Sequence, residues 1–276
     1  MLNTEDGFIH AYVAGQGRDT LVLLHGFGPL PALQWKYVLK EFGDEFTLII
    51  PEMIYFGKSS SHCGEFSPDF ERDQMFKLLD NLGVKKYHLT GLSYGGLIAS
   101  MMAEARPDQV LSLHLIDALN KYYTAQYADS LGKAYGYDGI LDMIVPADAE
   151  AVRALMEVST HKQSKLPKGI SRDILIQFYD EMRWEKREVI KYLLDHDTEI
   201  AKMQINYSGP TYIYWGESDH LIPIETGQRL FREDYKKAVF VKIPKSGHVP
   251  PLEKKKIFHA AFRDALNEVT SKAVVN

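Results

Sequence analysis

The stretch from Thr90 to Gly96 constrains this chain more than any other, because it contains the pattern Gly-x-Ser-x-Gly. An apolar run precedes it, and a segment with helical spacing follows it. A serine in this pattern, between a strand and a helix, lies on a very tight turn, so Gly91 and Gly95 are needed to prevent collisions. The N-terminus of the helix also directs free N–H groups toward the serine, where they stabilise a developing oxyanion. The pattern therefore predicts a nucleophile elbow with Ser93 at its tip.

Short apolar runs alternate with helical spacings along most of the chain. Such runs are typical of strands buried in a parallel sheet, and their alternation with helices predicts right-handed β-α-β crossovers. The predicted strands are Phe8–Ala14, Thr20–Leu24, Phe46–Ile50, Tyr87–Leu89, Val110–Ile116, Thr211–Trp215 and Val239–Ile243. The predicted helices include Trp35–Phe42, a helix capped by Ser67 with Pro68 at its first position, and a final helix over Leu252–Val269. We therefore predict an α/β fold with a mostly parallel central sheet flanked by helices.

Residues 119–205 interrupt this alternation. The segment is rich in helical spacings, is punctuated by glycine and proline, and contains no convincing strand. We interpret it as a helical cap, or lid, inserted into a core that consists of residues 1–118 and 206–276.

Composition excludes several classes of protein. The chain has 276 residues, of which 45% are hydrophobic and 25% charged, which is enough to bury a full globular core. A net charge of −5 argues against nucleic acid as a partner. The single cysteine, Cys63, excludes an internal disulfide and a thiolate metal site, and we expect no metal and no organic cofactor. No stretch predicts a signal peptide or stable membrane insertion, so we expect a cytoplasmic protein; no oligomeric state is predicted.

Two residues that complete a serine nucleophile follow later strands. A serine hydroxyl reacts when a histidine takes its proton and a carboxylate orients that histidine. Asp219 lies just beyond the strand that ends near Trp215, and His248 lies just beyond the last strand. Because the carboxyl ends of parallel strands share one edge of a sheet, we expect Ser93, Asp219 and His248 to meet there.

Two backbone N–H groups are candidates for the oxyanion hole, which needs donors about 3 Å from the developing charge. Tyr94 directly follows the nucleophile and provides the first. Phe27 follows His25-Gly26 at the end of another predicted strand and provides the second. His25 itself is expected to brace this loop through side-chain hydrogen bonds.

With these residues in place, the chain resembles the serine α/β hydrolases over essentially its whole length, in the order Ser…Asp…His. The resemblance is carried by His25-Gly26-Phe27-Gly28, Phe56-Gly57-Lys58-Ser59, the elbow at 90–96, Trp215-Gly216-Glu217-Ser218-Asp219 and Gly247-His248-Val249-Pro250-Pro251-Leu252-Glu253. Within this superfamily, the length of the cap and the Phe-Gly-x-Ser loop are similar to those of monoacylglycerol-lipase-like and carboxylesterase-like members. One departure is Glu52, where relatives usually carry Asp, and it puts only the local loop bonding in doubt.

Other residues compete for the predicted roles. Asp117 also ends a strand, and some relatives place their acid there, but the Gly-Glu-Ser-Asp loop favours Asp219. His220 competes with His248 as the base, yet Asp219 cannot easily orient its own neighbour toward the serine. The remaining strand histidines, His88 and His114, are interpreted as residues of the sheet interior.

The reaction is narrowed by the residues around the elbow. Haloalkane dehalogenases and epoxide hydrolases of the same superfamily carry aspartate at the elbow. This chain has Ser93 there, which argues against both classes. Leu92 and Val249 stand where carbon–carbon bond hydrolases tend to carry Asn and Trp. The resemblance thus implies cleavage of carboxylic esters, either acyl esters or monoacylglycerol-like lipids, through an acyl-enzyme intermediate, with a small-molecule ester as the partner. The alternatives are a carbon–carbon bond (meta-cleavage product) hydrolase and a low-turnover ligand-binding receptor on the same fold.

Overall fold

The structure is a computed structural model that describes residues 1–28, 31–163 and 166–275, with side chains described as far as residue 271. Pro29, which the sequence places in the loop after the first buried strand, lies outside the described residues. The strands are β1 (Leu2–Thr4), β2 (Gly7–Ile9), β3 (Ala11–Ala14), β4 (Asp19–Leu24), β5 (Phe46–Pro51), β6 (Ser60–Ser61), β7 (Tyr87–Leu92), β8 (Val110–Ile116), β9 (Thr211–Gly216) and β10 (Val239–Ile243).

Helices connect most of these strands. They are α1 (Pro31–Gln34), α2 (Lys36–Phe42), α3 (Pro68–Asn81), α4 (Tyr94–Ala105), α5 (Ala125–Ala134), α6 (Ile140–Ile144), α7 (Ala149–Ser159), α8 (Lys168–Phe178), α9 (Arg183–Asp195), α10 (Asp197–Ile200), α11 (Ile224–Glu233), α12 (Pro250–Glu253) and α13 (Lys255–Val275). A 3₁₀ turn at Pro107–Gln109 leads from α4 into β8.

Seven strands form the main sheet in the order β10-β9-β8-β7-β4-β5-β3. All neighbouring pairs are parallel except β3 with β5, which places the one antiparallel strand at the edge. The predicted α/β fold with a mostly parallel sheet is therefore confirmed. The strand predicted over Phe8–Ala14 is in fact two strands, because β2 pairs with β1 and β6 in a separate small sheet while β3 joins the main one.

The main sheet is buried on both faces. Every residue of β7 and of β9 is buried, as expected for central strands of a parallel sheet. One face packs against α2 and α13 through side chains such as Phe42 and Phe262. The other face packs against α3 and α4 through side chains such as Leu79 and Ile98. Covering both faces leaves the carboxyl edge of the sheet as the place where loops meet.

Helix α3 begins as the sequence predicts. Ser67 is its N-cap, and the Ser67 hydroxyl accepts a hydrogen bond from Phe70 N at 3.2 Å, directly before Pro68. Leu82 is the C-cap residue directly after the last helical residue and is 43% exposed, so the apolar face of the helix ends before it.

Two other helix boundaries differ from the prediction. Trp35 is the N-cap of α2 and not its first residue, and its side chain is fully buried. The final helix begins at Lys255 and extends to Val275, because Lys254 has non-helical backbone angles that separate it from the short α12. Neither difference moves a candidate site residue.

Between β8 and β9 the described residues, 119–163 and 166–205, contain the six helices α5 to α10 and no strand. This agrees with the helical character that the sequence predicts for residues 119–205. The division of the chain into a core and a cap stays a prediction.

Candidate active site

Ser93 lies at the turn between β7 and α4 with φ 54° and ψ −121°. This is an unusual conformation for a residue with a side chain, and such angles cost about 1–3 kcal/mol. The surrounding backbone holds them, since Ser93 N donates to Ile116 O at 3.0 Å and Ser93 O accepts from the N–H groups of Gly96, at 2.8 Å, and Leu119, at 2.9 Å. The serine is thus fixed at the tip of a tight, strained turn.

The glycines that flank the serine allow close contact of the backbone. A Cβ atom on Gly91 would lie 2.2 Å from Gly95 O, and one on Gly95 would lie 2.5 Å from His25 O. Both contacts are with backbone atoms that cannot move aside. Glycine is therefore required at both positions for strand β7 and helix α4 to meet at the elbow.

Asp219 and His248 form a buried pair at the same edge of the sheet. Asp219 Oδ2 lies 2.8 Å from His248 Nδ1, and the side chains are 0% and 7% exposed. Asp219 Oδ1 accepts two further hydrogen bonds, from Leu221 N at 2.9 Å and Ile222 N at 3.0 Å. A carboxylate can only accept, so a neutral His248 in this contact has its hydrogen on Nδ1 and its lone pair on Nε2. That tautomer is the one a general base needs, and the role of His248 as the base stays a prediction.

The loops that carry this pair are tied directly to each other. Strands β9 and β10 are paired in parallel up to Gly216 and Ile243, and just beyond them Ser218 N donates to Ser246 O at 2.8 Å. A Cβ atom on Gly216 would lie 2.0 Å from Gly247 O, so only glycine allows the two loops to approach so closely. The acid and the base are consequently held in one rigid unit.

A second set of contacts joins the loop of His248 to the helical segment between β8 and β9. We call the four residues Ser159, His161, Ser218 and Glu253 the base-loop clamp. Ser159 O accepts from His248 N at 2.9 Å, and Glu253 accepts from Gly247 N at 2.9 Å with Oε1 and from His161 N at 3.0 Å with Oε2. The ring of His161 is bonded through Nδ1 to Ser218 Oγ at 2.8 Å.

The two predicted oxyanion donors lie beside the serine. Ser93, Phe27 and Tyr94 line one cavity, and the rings of Phe27 and Tyr94 are 5.3 Å apart. Tyr94 is the first residue of α4, and the first N–H groups of a helix have no intrahelical acceptor. The arrangement is therefore able to present N–H groups to an oxyanion, and their catalytic role stays a prediction.

His25 braces the loop that carries Phe27. His25 Nε2 accepts from Met53 N at 3.0 Å, and Nδ1 lies 2.9 Å from Gly26 O, to which it donates. Burial lowers the pKa of His25 to about 4, so the ring is neutral near pH 7. Gln34 adds two bonds to Gly26, with Oε1 accepting from Gly26 N at 3.1 Å and Nε2 donating to Gly26 O at 3.2 Å.

The cavity next to Ser93 is mainly apolar and contains about 750 Å³ of space free of protein atoms, its open mouth included. Its walls come from the elbow, from the helical segment and from the loop after Asp219. The lining residues are Phe27, Ser93, Tyr94, Leu119, Asn120, Tyr123, Ala125, Ile140, Ile144, Ile190, Leu193, Leu194, Asp197, Ile200, Leu221 and Ile222. Such a cavity suits an apolar group held next to a few polar atoms.

The competing residues take other positions. Asp117 is fully buried near the pair, but the carboxylate that accepts the hydrogen bond from His248 Nδ1 is that of Asp219. His220 is exposed, and its carbonyl accepts from Tyr127 OH at 2.9 Å. The observed contact with His248 is therefore made by Asp219, and the catalytic roles stay predictions.

The strand histidines belong to the interior of the sheet. His88 Nδ1 lies 2.6 Å from Ser112 Oγ, which in turn lies 2.8 Å from His114 Nε2. His114 Nδ1 continues the chain of hydrogen bonds to Tyr214 OH at 3.2 Å. Their side chains are satisfied within the sheet, as the sequence predicts.

Glu52, the departure from the family pattern, bonds to its own loop and to residues in and beside β3. Its carboxylate is buried and accepts from Lys58 N at 2.7 Å and from Tyr12 OH at 3.1 Å. Its other partner is His10 Nδ1 at 3.0 Å. The residue organises the loop between β5 and β6 and does not reach the serine.

Sequence reasoning missed three residues that support the site. Gln34 holds the oxyanion loop, and Ser159 and Glu253 hold the base loop. Glu253 follows His248 closely, so the spacing after the histidine was an available sequence signal. Ser159 had none, because it meets His248 only in the folded chain.

A strained serine at a strand–helix turn, with a buried Asp–His pair at the same sheet edge, is the arrangement that the sequence predicts for a serine hydrolase. A model of the alpha/beta hydrolase fold family matches residues 19–255. The chain therefore belongs to this family, and the predicted hydrolase fold is confirmed. In the part of the chain that the structure describes, no helix combines the length and apolar character needed to cross a membrane.

Three known proteins are similar to this chain over most of its length. Lipase 3 of Moraxella sp. (strain TA144) is 26% identical over 97% of this chain and 84% of its own length. The solved structure of a serine hydrolase from Cycloclasticus zankles matches with a TM-score of 0.82 at 19% identity, over 96% of this chain and 97% of that one. The 2-hydroxy-6-oxo-6-phenylhexa-2,4-dienoate hydrolase from Rhodococcus sp. strain RHA1 matches with a TM-score of 0.80 at 18% identity, over 94% of both chains. At these identities, the two structures show the fold alone.

Proposed function

We propose that this chain is a serine ester hydrolase in which Ser93 is the nucleophile, His248 the general base and Asp219 the residue that orients His248. The observation that carries the proposal is the buried Asp219–His248 hydrogen bond of 2.8 Å at the sheet edge where the strained Ser93 elbow lies. Similarity to Lipase 3 supports the ester-hydrolysing class.

In the first half of the reaction, Ser93 Oγ attacks the ester carbonyl carbon while its proton moves to His248 Nε2. The carbonyl oxygen becomes an oxyanion, and the N–H groups of Phe27 and Tyr94 donate to it. The tetrahedral intermediate then collapses, the bond to the alcohol oxygen breaks, and His248 Nε2 gives its proton to that oxygen. An acyl-enzyme on Ser93 and a free alcohol result.

In the second half, a water molecule takes the place of the alcohol. His248 Nε2 removes a proton from the water as its oxygen attacks the acyl carbon, and the same proton returns to Ser93 Oγ when the acyl bond breaks. Throughout, the anionic Asp219 stabilises the imidazolium that His248 forms. The carboxylic acid leaves and the enzyme is regenerated.

The cavity supports one class of substrate. Its walls are apolar side chains of the helical segment and of the loop after Asp219, such as Ile144, Leu193 and Ile222. A fatty acyl chain of medium length fits such walls, because burying each methylene contributes about 0.8 kcal/mol. We propose acyl esters or monoacylglycerol-like lipids as the small-molecule substrates.

The test is hydrolysis of p-nitrophenyl esters of graded acyl length. The wild type should be active, and Ser93→Ala should lower kcat by about 10⁴-fold or more. Ser100→Ala is the matched control, because Ser100 lies on the same helix and its hydroxyl donates to Gly96 O at 3.0 Å. Wild-type turnover by Ser93→Ala would refute the mechanism.

The two alternatives make opposite predictions in the same experiment. A carbon–carbon bond hydrolase would prefer a vinylogous diketone substrate to every ester of the series. A low-turnover receptor would bind an ester without releasing p-nitrophenol. The similarity to Lipase 3 favours neither alternative. The cytoplasmic location and the absence of a nucleic-acid partner stay predictions.

A further inference from the structure

Asp117 lies directly after β8 in a strained and fully buried position. Its φ is 41°, its side chain is 0% exposed, and its N–H donates to Tyr214 O at 3.0 Å. Oδ1 accepts from Gly216 N at 2.9 Å. Among the described residues no group forms a hydrogen bond with Oδ2. A buried carboxyl oxygen without a hydrogen bond costs free energy, so the protonation state of Asp117 needs an explanation.

The unpartnered carboxyl belongs to a compact group. One side-chain nitrogen or oxygen of each of Asp117, Asp219 and His248 lies within 4.8 Å of the other two. The two carboxyl groups differ in their donors among the described residues. Asp219 accepts three hydrogen bonds, from Leu221 N, Ile222 N and His248 Nδ1, and Asp117 accepts one, from Gly216 N.

This difference decides which carboxyl group is ionised. Two charged carboxylates this close together in a buried site repel each other, and hydrogen bonds from N–H groups favour the charged form. With three donors at Asp219 and one at Asp117, Asp219 is the better site for a single charge. Burial, and then the negative charge of Asp219, raise the pKa of Asp117 well above its ordinary value, against the lowering effect of the Gly216 N–H.

We propose that Asp117 is a protonated carboxylic acid whose Oδ2 hydroxyl faces the Asp219 carboxylate, and that it serves as a positioning residue for Asp219. The hydrogen resides on Oδ2 because Oδ1 already accepts from Gly216 N. The proposal rests on the proposed roles of Ser93, His248 and Asp219. It leaves the site with a single negative charge opposite His248, on the carboxylate that contacts Nδ1.

The titratable groups that face Asp117 are few. They are Asp219 and His248 on the loops after β9 and β10, and Glu253, whose charge also raises the pKa of Asp117. Both oxygens of Glu253 are engaged by backbone N–H groups, so Glu253 stays an acceptor in the base-loop clamp. None of these groups donates a hydrogen bond to Asp117 Oδ2. The hydrogen between Asp117 and Asp219 must therefore be carried by Asp117 itself.

The first experiment measures activity with matched amide variants. Asp117→Asn should keep kcat/KM within about threefold of the wild type, because the amide donates as the protonated acid does. Asp219→Asn should lower kcat by about 10⁴-fold, because the amide leaves His248 in the wrong tautomer. Asp117→Ala, which has no donor, should lower kcat by about 10-fold. It should also shift the acidic limb of the pH profile to higher pH, since the Asp219 carboxylate without the Asp117 donor attracts the imidazolium more strongly. Equal damage by the two Asn variants, or an unshifted profile in Asp117→Ala, would overturn the proposal.

The second experiment does not depend on activity. The infrared C=O band of a protonated carboxyl should be present in the wild type at pH 7 and weaker in Asp117→Asn. Glu71, whose pKa burial raises to about 8, contributes to the same band, so the difference between the two proteins is the quantity to use. In Asp219→Asn the Asp117 band should titrate at lower pH than in the wild type, because the neighbouring charge is gone. No difference band at pH 7 would refute the proposal. A difference band in a protein without esterase activity would refute only the proposed function.

Discussion

Glu253 offers a sharp test of how the base is held in place. Its carboxylate bridges Gly247 N, at 2.9 Å, and His161 N, at 3.0 Å, on either side of the bond between His248 N and Ser159 O. The change Glu253→Gln keeps the shape of the side chain but turns an amide N–H group toward one of the two backbone donors. One charge-assisted bond is lost and one donor is left without an acceptor.

The expected magnitude follows from these contacts. A hydrogen bond to a charged group contributes about 1.5–3 kcal/mol. We expect Glu253→Gln to lower the free energy of unfolding by about 1–3 kcal/mol. Because these bonds hold the base loop in its reacting position, their loss should also lower kcat by roughly 10- to 100-fold. KM should change little, because Glu253 does not line the cavity.

The assay combines urea unfolding with steady-state hydrolysis of a p-nitrophenyl ester. Glu217→Gln is the matched control, because Glu217 is an exposed residue of the neighbouring acid loop and should behave as the wild type. Glu253→Ala, which removes both acceptors, should be more damaging than Glu253→Gln. Wild-type kcat and stability in both Glu253 variants would refute the clamp as a positioning device.

The remaining predictions concern stability, the elbow and the cavity. Burial lowers the pKa of His88 to about 4, so the folded protein keeps this ring neutral. The contribution of the neutral ring to the free energy of unfolding is complete above pH 6.5 and is lost as the pH falls toward 4. Urea unfolding of His88→Asn should therefore lose about 2 kcal/mol less between pH 7.5 and 5 than the wild type, and equal losses would contradict this. Gly26→Ala places a Cβ atom 2.8 Å from Ser93 Cβ, so kcat should fall by about 10²-fold; an unchanged kcat would show that the oxyanion loop can move aside. Leu194→Trp fills part of the cavity and should lower kcat/KM about 10-fold for octanoate relative to acetate esters, whereas an unchanged ratio would place the acyl chain elsewhere.

The elbow and the Asp–His pair were accessible to sequence reasoning because each is a local pattern at the end of a strand. Ser93 follows β7, Asp219 follows β9 and His248 follows β10. Parallel pairing of neighbouring strands is enough to bring their carboxyl ends to one edge. The residues that carry the proposed chemistry were thus predictable from local sequence patterns.

The state of Asp117 was not predictable in the same way. The sequence places both Asp117 and Asp219 at strand ends and leaves the choice between them to a loop pattern. The register of β8 and β9, in which Ile116 pairs with Tyr214, brings Asp117 to Gly216 N. Only this arrangement shows that Asp117 has one donor where Asp219 has three.

The base-loop clamp depends on contacts that no local pattern encodes. Glu253 and His161 are 92 positions apart in the chain. The hydrogen bond between His248 N and Ser159 O likewise joins the helical segment to the end of the sheet. Contacts of this kind follow from how the helices pack over the sheet edge, which neither periodicity nor spacing determines.

The central claim is that Ser93 Oγ is the nucleophile. The most direct measurement is reaction with a fluorophosphonate ester, followed by intact-mass and peptide analysis. The account predicts one phosphonyl group per chain, located on Ser93, with none added to Ser93→Ala and much slower labelling of His248→Ala. Labelling of a different residue in the wild type, or equally fast labelling of Ser93→Ala, would contradict it.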